Sequence, residues 1–528
     1  MSFKISNKKL FAAMCAACCI VAAPAQAKRL TIIYVPLDNR PVCADYARET
    51  MEAAGCKIIM PPEKYIADSK KNGDPEAIWD WLQNKAPKAD AAVISTDSLI
   101  YGGLVASRTH NIPQQILTQR VKRLNELKAA LPIKLYAFST IMRTPRASYG
   151  RVEPAYYSQT GPAIFSYSQL LDKSDQSSLP LAEELKMQAL ERNMLKENLG
   201  DWLSRRQKNL EINRELTFMA RNNKFHYFAI GKDDNAPLSA THMEARKISI
   251  STFDMPPQDF QILPGVDQLG LLLLARAYNE AHGRTPSVYP MYSEGAGAAT
   301  LPQYSDARLQ DSVPQQIIAA GAAKAANPAS ADLVLALNTP ADGVMQDSTA
   351  DSNQFFASPA NRNFIRTITT NLDAGRKVSL ADVSYSNGGD NGFMNALANA
   401  GQLERLTAYN GWNTADNTIG YAIAQGLLAA DMTDAASDKL MQQRVIDDWY
   451  YQSNARRTIS DALEKHGREN LKYDLGSAMK PVLKEVTAEC ETLTGKYDFT
   501  RSTKFKLSFP WERLFEIDVK VEANKKGR

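Results

Sequence analysis

From Lys28 to about Gly426 the chain repeats one rhythm: a short apolar run, a polar or turn residue, then a longer amphipathic stretch. The runs are "RLTIIYVPLD" (29–38), "CKIIMPP" (56–62), "DAAVISTD" (90–97), "IKLYAFSTIMR" (133–143), "FHYFAIGKDD" (225–234), "SVYPMYSEG" (287–295), "DLVLALNTP" (332–340), "KVSLADVSY" (377–385) and "RLTAYNGW" (405–412). Each is short and rich in branched or aromatic residues, the pattern of a strand buried on both faces of a parallel sheet. Between them lie helical patterns such as "PQQILTQRVKRLNELKAAL" (113–131) and "VDQLGLLLLARAYNEAHG" (266–283). Strands alternating with helices predict an α/β fold built from βαβ units. Nine runs suit a (β/α)8-type barrel or barrel-like parallel sheet with one extra strand. The alternative is a doubly wound open sheet, or two of them.

Two regions break the rhythm. Between Arg143 and Lys224, a charged helical stretch at about 165–222 reads as an insertion of two helices parted at Gly200. Inserted segments at the working end of such a fold often cover the site. From residue 431 the strand signal ceases, and 431–528 reads as a helical accessory region closing in an extended, aromatic-rich piece, "KFKLSFPWERLFEIDVKVE". Residues 28–430 would form the α/β catalytic-type domain. No internal repeat or low-complexity linker is visible.

Composition narrows the function classes. The 528 residues are 44% hydrophobic and 23% charged, with a formal net charge of +4. That balance, without a concentrated basic patch, argues against a nucleic-acid partner. Residues 1–27 have three lysines, an apolar stretch from Leu10 to Ala23, and Ala25-Gln26-Ala27. This predicts a signal peptide cut after Ala27, hence a periplasmic or secreted protein with no stable membrane span after cleavage. The apolar stretch falls short of the roughly 20 residues that a span needs. Cys43, Cys56 and Cys490 are too few and too odd for a disulfide framework. Cys43 and Cys56 flank a predicted helix and would sit roughly 18 Å apart, too far for a bridge.

In parallel α/β folds chemistry gathers where strands end. Here those ends carry Asp38 and Arg40; Asp97, with Tyr101 and Arg108 after it; Arg143; Asp233, Asp234 and Asn235; Glu294; Asn338; Asp382, with Asn387 and Asp390; and Asn410, Trp412 and Asn413. Any one aspartate after a strand is commonly a helix cap. The set suggests a shared pocket. Adjacent carboxylates repel, which raises the pKa of one, and an acid beside an ionised partner is what glycosidic cleavage uses. Where a strand ends and the chain turns, Asp233 and Asp234 can reach one cavity; a turn plus helix cap is the competing reading. Asn410, Trp412, Asn413, Tyr101 and Tyr385 suit a sugar, with aromatic faces for stacking and amides for hydroxyls. Arg40, Arg108 and Arg143 would hold an acidic sugar or neutralise the carboxylates.

Other chemistries have no signature. The five histidines lack zinc spacing, and no HExxH, CxxC, EF-hand loop or G-x-S-x-G elbow occurs. "EGAGAAT" matches a dinucleotide loop only in part. No cofactor and no metal ligand set is expected. The reading is therefore a glycoside hydrolase-like enzyme with Asp233 and Asp234 as its acid/base pair, acting on a glycan or other small molecule. Asp38, Asp97, Glu294, Asp382 and Asp390 would bind substrate or share the catalysis. A non-catalytic sugar- or cell-wall-binding protein and a metal-dependent hydrolase are the alternatives.

Several segments also carry a resemblance. "VPLDNRP" (35–41), "STDSLIYGGLVASR" (95–108), "GKDDNAP" (231–237), "PGVDQLGLLLLAR" (264–276), "YNGWNTADNTIG" (409–420), "DDWYYQSNAR" (447–456) and "FPWERLFEIDV" (509–519) resemble the signatures of the bacterial domain-of-unknown-function family 4127. The resemblance implies that residues 28–528 act as one unit and brings no activity with it. A strand ending in an Asp-Asp pair is also similar to substrate-assisted hexosaminidases. That analogy implies that Asp233 orients a 2-acetamido group and Asp234 protonates the leaving oxygen.

Overall fold

The computed structural model describes residues 29–130, 133–147 and 152–522. The predicted signal peptide lies outside them. The strands are β1 (Thr31–Val35), β2 (Lys57–Ile59), β3 (Ala91–Ser95), β4 (Lys134–Ile141), β5 (Tyr227–Lys232), β6 (Phe260–Pro264), β7 (Ser287–Tyr292), β8 (Ala323–Lys324), β9 (Leu333–Asn338), β10 (Gln346–Asp347), β11 (Val378–Asp382), β12 (Tyr385–Ser386), β13 (Ala408–Asn410), β14 (Phe505–Ser508) and β15 (Asp518–Val521).

The fold is α/β, as the rhythm of the sequence predicts. Among the described residues the strands pair as two open parallel sheets, ordered β2-β1-β3-β4-β5-β6 and β13-β11-β9-β7-β8. The six-stranded and five-stranded parallel sheets, with helices between and around them, are the α/β architecture that the sequence predicts. Counted from its own first strand, each sheet begins 2-1-3-4-5, the order of doubly wound folds. The sequence shows no repeat, yet the winding is repeated. Register is tight throughout: Ile32 to Val35 of β1 pair with Ala91 to Ile94 of β3, and Val378 to Asp382 of β11 with Val334 to Asn338 of β9.

Alternation along each strand splits the core into layers. Tyr34, Val93, Tyr136, Phe138 and Ala229 point from the first sheet into a central core. That core also holds the apolar helices Leu269–Ala281 and Ala415–Leu428, and Leu333, Leu335 and Leu337 from the second sheet. Both helices are apolar nearly all round because they lie between two sheets. Ile33, Ile94, Phe228 and Ile230 face the other way, onto the helices Pro75–Lys85, Gln114–Ala130 and Lys196–Arg221. Val334, Ala336, Val378 and Leu380 likewise face the helix Pro359–Asp373 and the C-terminal region.

The region after 430 comprises helices, a buried π-helix at Val445–Ala455 and the antiparallel pair β14–β15. The insertion forms helices Tyr157–Gln176, Leu181–Asn193 and Lys196–Arg221. The break falls at Met194–Leu195 rather than at Gly200, which lies within a helix. A helical glycine costs about 1 kcal/mol relative to alanine, and burial of Leu199, Trp202, Leu210 and Leu216 on that helix outweighs it. No helix among the described residues is long and apolar enough to cross a membrane. Cys43, Cys56 and Cys490 are buried free thiols.

Candidate functional site

Parallel strands all deliver their C-terminal ends to the same edge of a sheet, and here both sheets contribute to one cavity of about 680 Å³. Its wall takes Arg40 from beyond β1, Arg108 from beyond β3, Arg143 to Ala147 from beyond β4, Asp233 to Ala236 from beyond β5 and Gly265 to Asp267 from beyond β6. Gln303 and Tyr304 follow β7, Asn387 follows β12, and Asn413, Thr414 and Asn417 follow β13. Phe165 of the helical insertion lines the cavity too. So do Tyr473, Trp511, Arg513 and Phe515 of the C-terminal region.

Asp233 and Asp234 lie where strand geometry gives way to a turn. The Asp233 N–H still donates to the Ile141 carbonyl (3.1 Å), the last rung beside β4. Asp234 then takes φ 22, and the Asn235 N–H donates across the cavity edge to the Tyr304 carbonyl (2.9 Å). The turn lets both carboxylates reach the cavity. Neither caps the following helix, Ala240–Ile250: its cap is Ser239, which accepts from the His242 N–H.

Each aspartate has its own arginine. Arg108 donates from Nε to Asp233 Oδ2 (3.0 Å), and Arg143 from Nη1 to Asp234 Oδ2 (2.6 Å). Buried Glu153 joins the two, 2.7 Å from Arg143 Nε and 3.6 Å from Arg108 Nη1. The result is an alternating chain, Asp233–Arg108–Glu153–Arg143–Asp234. Asp233 is recessed, while the Asp234 side chain keeps 27% of its surface open. Burial pushes the Asp233 carboxyl up to about 6; Arg108 opposes the shift and the Asp234 charge adds to it.

A second ion-pair group lines the same cavity. Arg40 donates from Nη2 to Asp267 Oδ1 (2.7 Å) and from Nε to Asp38 Oδ1 (3.0 Å), and its guanidinium lies 5.4 Å from the Trp511 ring centre. Asn413 Nδ2 donates to Asp267 Oδ2 (3.1 Å). Trp511 Nε1 donates to Asn39 Oδ1, and Arg513 covers its ring at 4.9 Å. Arg40, Arg108 and Arg143 therefore neutralise carboxylates.

Of the residues singled out in the sequence, Arg40, Arg108, Arg143, Asp233, Asp234, Asn235, Asn387 and Asn413 line the cavity, and Asp38 sits behind Arg40. The others lie elsewhere. Asp97 is fully buried inside the short helix Thr96–Ile100, accepting from Thr140. Tyr101 is a core residue stacked on His110. Trp412 is buried against Phe515, and Asn410 donates to Gln425. Exposed Glu294 accepts from Asn363 in a separate shallow depression. Asp382 and Asp390 form a distinct group with Asn338, in which Asp390 caps the helix Asn391–Asn399. Asp382 and Asn410 do end β11 and β13, but these strand ends of the second sheet are buried in the interior.

Asp267, Glu153, Tyr304, Trp511 and Arg513 join the cavity or its ion pairs without standing at a predicted strand end. Asp267 follows β6, whose "FQILP" has only a brief apolar run and a Pro-Gly that reads as a turn. Trp511 and Arg513 stand in "FPWERLFEIDV", a motif with no strand end to mark it as chemical. Among the described residues, no group of three or more His, Cys, Asp and Glu side chains is arranged to hold a metal ion.

Buried carboxyls give the protein a pH signature. Burial pushes Asp97 up to about 7 and Asp416 to about 6. It drives Asp382 and Asp448 the same way, each with a neighbouring aspartate adding to the rise. With Asp233, these groups bind protons more tightly folded than unfolded. Their stabilisation is complete below the unfolded carboxylate value of about 3.9 and is lost as pH rises through about 6 to 8. His110, held down to about 4 by burial, acts in the opposite sense, but only below about 6.5. Raising pH from 6.5 to 8.5 is expected to cost on the order of a few kcal/mol. A calorimetric Tm that rises over that interval would contradict the assignment.

No curated protein and no solved structure matches the chain. The model of one family, described as "Protein of unknown function (DUF4127)", matches residues 32–520, which take in both sheets, the insertion and the cavity-lining C-terminal segment. The chain belongs to the DUF4127 family.

Proposed function

We propose that the protein is a glycoside hydrolase-like enzyme of the periplasm or cell exterior, with Asp233 and Asp234 acting as one acid/base pair on a glycan. The observation that carries this reading is their placement in one cavity wall, Asp233 recessed and Asp234 open. Burial raises the Asp233 carboxyl, so Asp233 holds a proton in mildly acidic solution, and Asp234 is the member that a bound substrate touches. Trp511, Tyr304, Phe165 and Phe515 offer aromatic surface, and Asn235, Asn387 and Asn413 offer amides, the mixture that sugar rings engage. Export rests on the N-terminal segment, 1–27.

A second reading, a non-catalytic glycan-binding protein, draws on the ion pairs. An arginine occupies each aspartate, and cleavage requires substrate to displace Arg143 from Asp234. Isothermal calorimetry with product analysis on a panel of cell-envelope and plant oligosaccharides separates the two. Heat with new reducing ends supports the enzyme, heat without product supports the binder, and no heat with any glycan rejects both.

A further inference from the structure

The cavity wall carries five arginines (Arg40, Arg108, Arg143, Arg146 and Arg513) against three aspartates, Asp233, Asp234 and Asp267. Most of the guanidinium nitrogens are taken. Arg40 spends its donors on Asp38 and Asp267, and Arg108 on Asp233 with Glu153 close by. Arg513 is held by Glu516 through Nε and Nη2. Arg146 differs. It is exposed and lines the cavity, and its guanidinium lies 5.1 Å from the Phe165 ring centre. Among the described residues it has no carboxylate partner. A second donor is also unspent: Asn235, 4% exposed, accepts from Ser239 through Oδ1, while its buried Nδ2 has no acceptor. A buried amide left unpaired costs about 1–3 kcal/mol, a cost that a ligand oxygen would remove.

We propose that the substrate is an acidic glycan, whose carboxylate is bound by Arg146 over the Phe165 ring and one of whose hydroxyl or acetamido oxygens accepts from Asn235. The inference rests on the glycosidase reading for turnover, but its binding half stands without it. A planar guanidinium held over an aromatic ring presents its N–H edge to a carboxylate, and a neutral sugar has nothing to match it.

The test uses the full mature chain and oligosaccharides of glucuronate, galacturonate and N-acetylmuramate, each beside its carboxyl-reduced counterpart. Calorimetry and product analysis are run on wild type and on Arg146→Gln, a change at an exposed position that leaves the core untouched. At least one acidic probe is expected to bind roughly 10–100-fold tighter than its reduced form, the ratio worth a charge-assisted hydrogen bond. Arg146→Gln should bring that ratio towards one, through KM or Kd rather than kcat. Equal use of acidic and reduced forms by wild type overturns the inference and leaves the glycosidase reading standing. Binding of the acidic form without product keeps the substrate class and removes the glycosidase. No heat with any probe removes both.

Discussion

Replacing Asp234 by Asn is expected to cut glycan turnover by about 10²–10⁴-fold while the protein stays folded. Asparagine has the shape of aspartate, and its amide oxygen can still accept from Arg143, which also remains tied to Glu153. The position is partly open to solvent, so no buried charge is orphaned. What disappears is the more open carboxylate of the pair and its charge beside Asp233. Without that charge one cause of the rise in Asp233 is gone, so its carboxyl should titrate lower than in wild type. In wild type the rate should fall as pH rises through about 6, the range in which Asp233 gives up its proton. Full activity of the Asn variant on a substrate that wild type cleaves would remove Asp234 from the chemistry.

The α/β class was legible because buried parallel strands are apolar on both faces and announce themselves as continuous runs. Closure was not. Nine strands are compatible with one ring or with two sheets, and the choice depends on long-range packing of helices that are apolar all round, such as Leu269–Ala281. That helix lies between two sheets, a fact its own sequence does not distinguish from any deeply buried setting. β6 escaped notice because its run is brief and ends in Pro-Gly, and Asp267, which anchors Arg40, escaped with it.

Cavity-lining residues were legible where a strand end opens onto the cavity, as for Arg40, Arg108, Arg143, Asp233 and Asp234. Sequence could not say which strand ends share a cavity. Asp382 ends β11 just as Asp233 follows β5, yet it meets Asn338 and the backbone N–H of Asp390 in the interior. Glu153 was invisible for a different reason: it follows no strand and matters only because Arg108 and Arg143 both face it.

Arg444→Met is the substitution with the largest expected cost in stability, about 3–5 kcal/mol at pH 8. The guanidinium is buried and pairs with Asp447 (2.6 Å) and with Asp448, both in the buried π-helix Val445–Ala455. Methionine fills much of the volume but leaves two carboxylates facing each other in a dry interior. Tyr46 and Gln452 donate to Asp447, and the Gly411 N–H to Asp448, but these are neutral dipoles and cannot replace the cation. Burial already raises both carboxyls, so the variant can recover by taking up protons, and its deficit should shrink at pH 5. Restoring neutrality with Asp447→Asn and Asp448→Asn in the same chain should return most of the loss, as expected when the cost comes from unpaired charge rather than lost packing. The effect should reach the cavity as well. Gly411 lies two residues before Asn413, and Gln452 donates to the carbonyl of Phe515, so this cluster braces two segments of the wall. An Arg444→Met protein with a wild-type denaturation midpoint at pH 8 would mean that the cluster is solvated and the brace is absent.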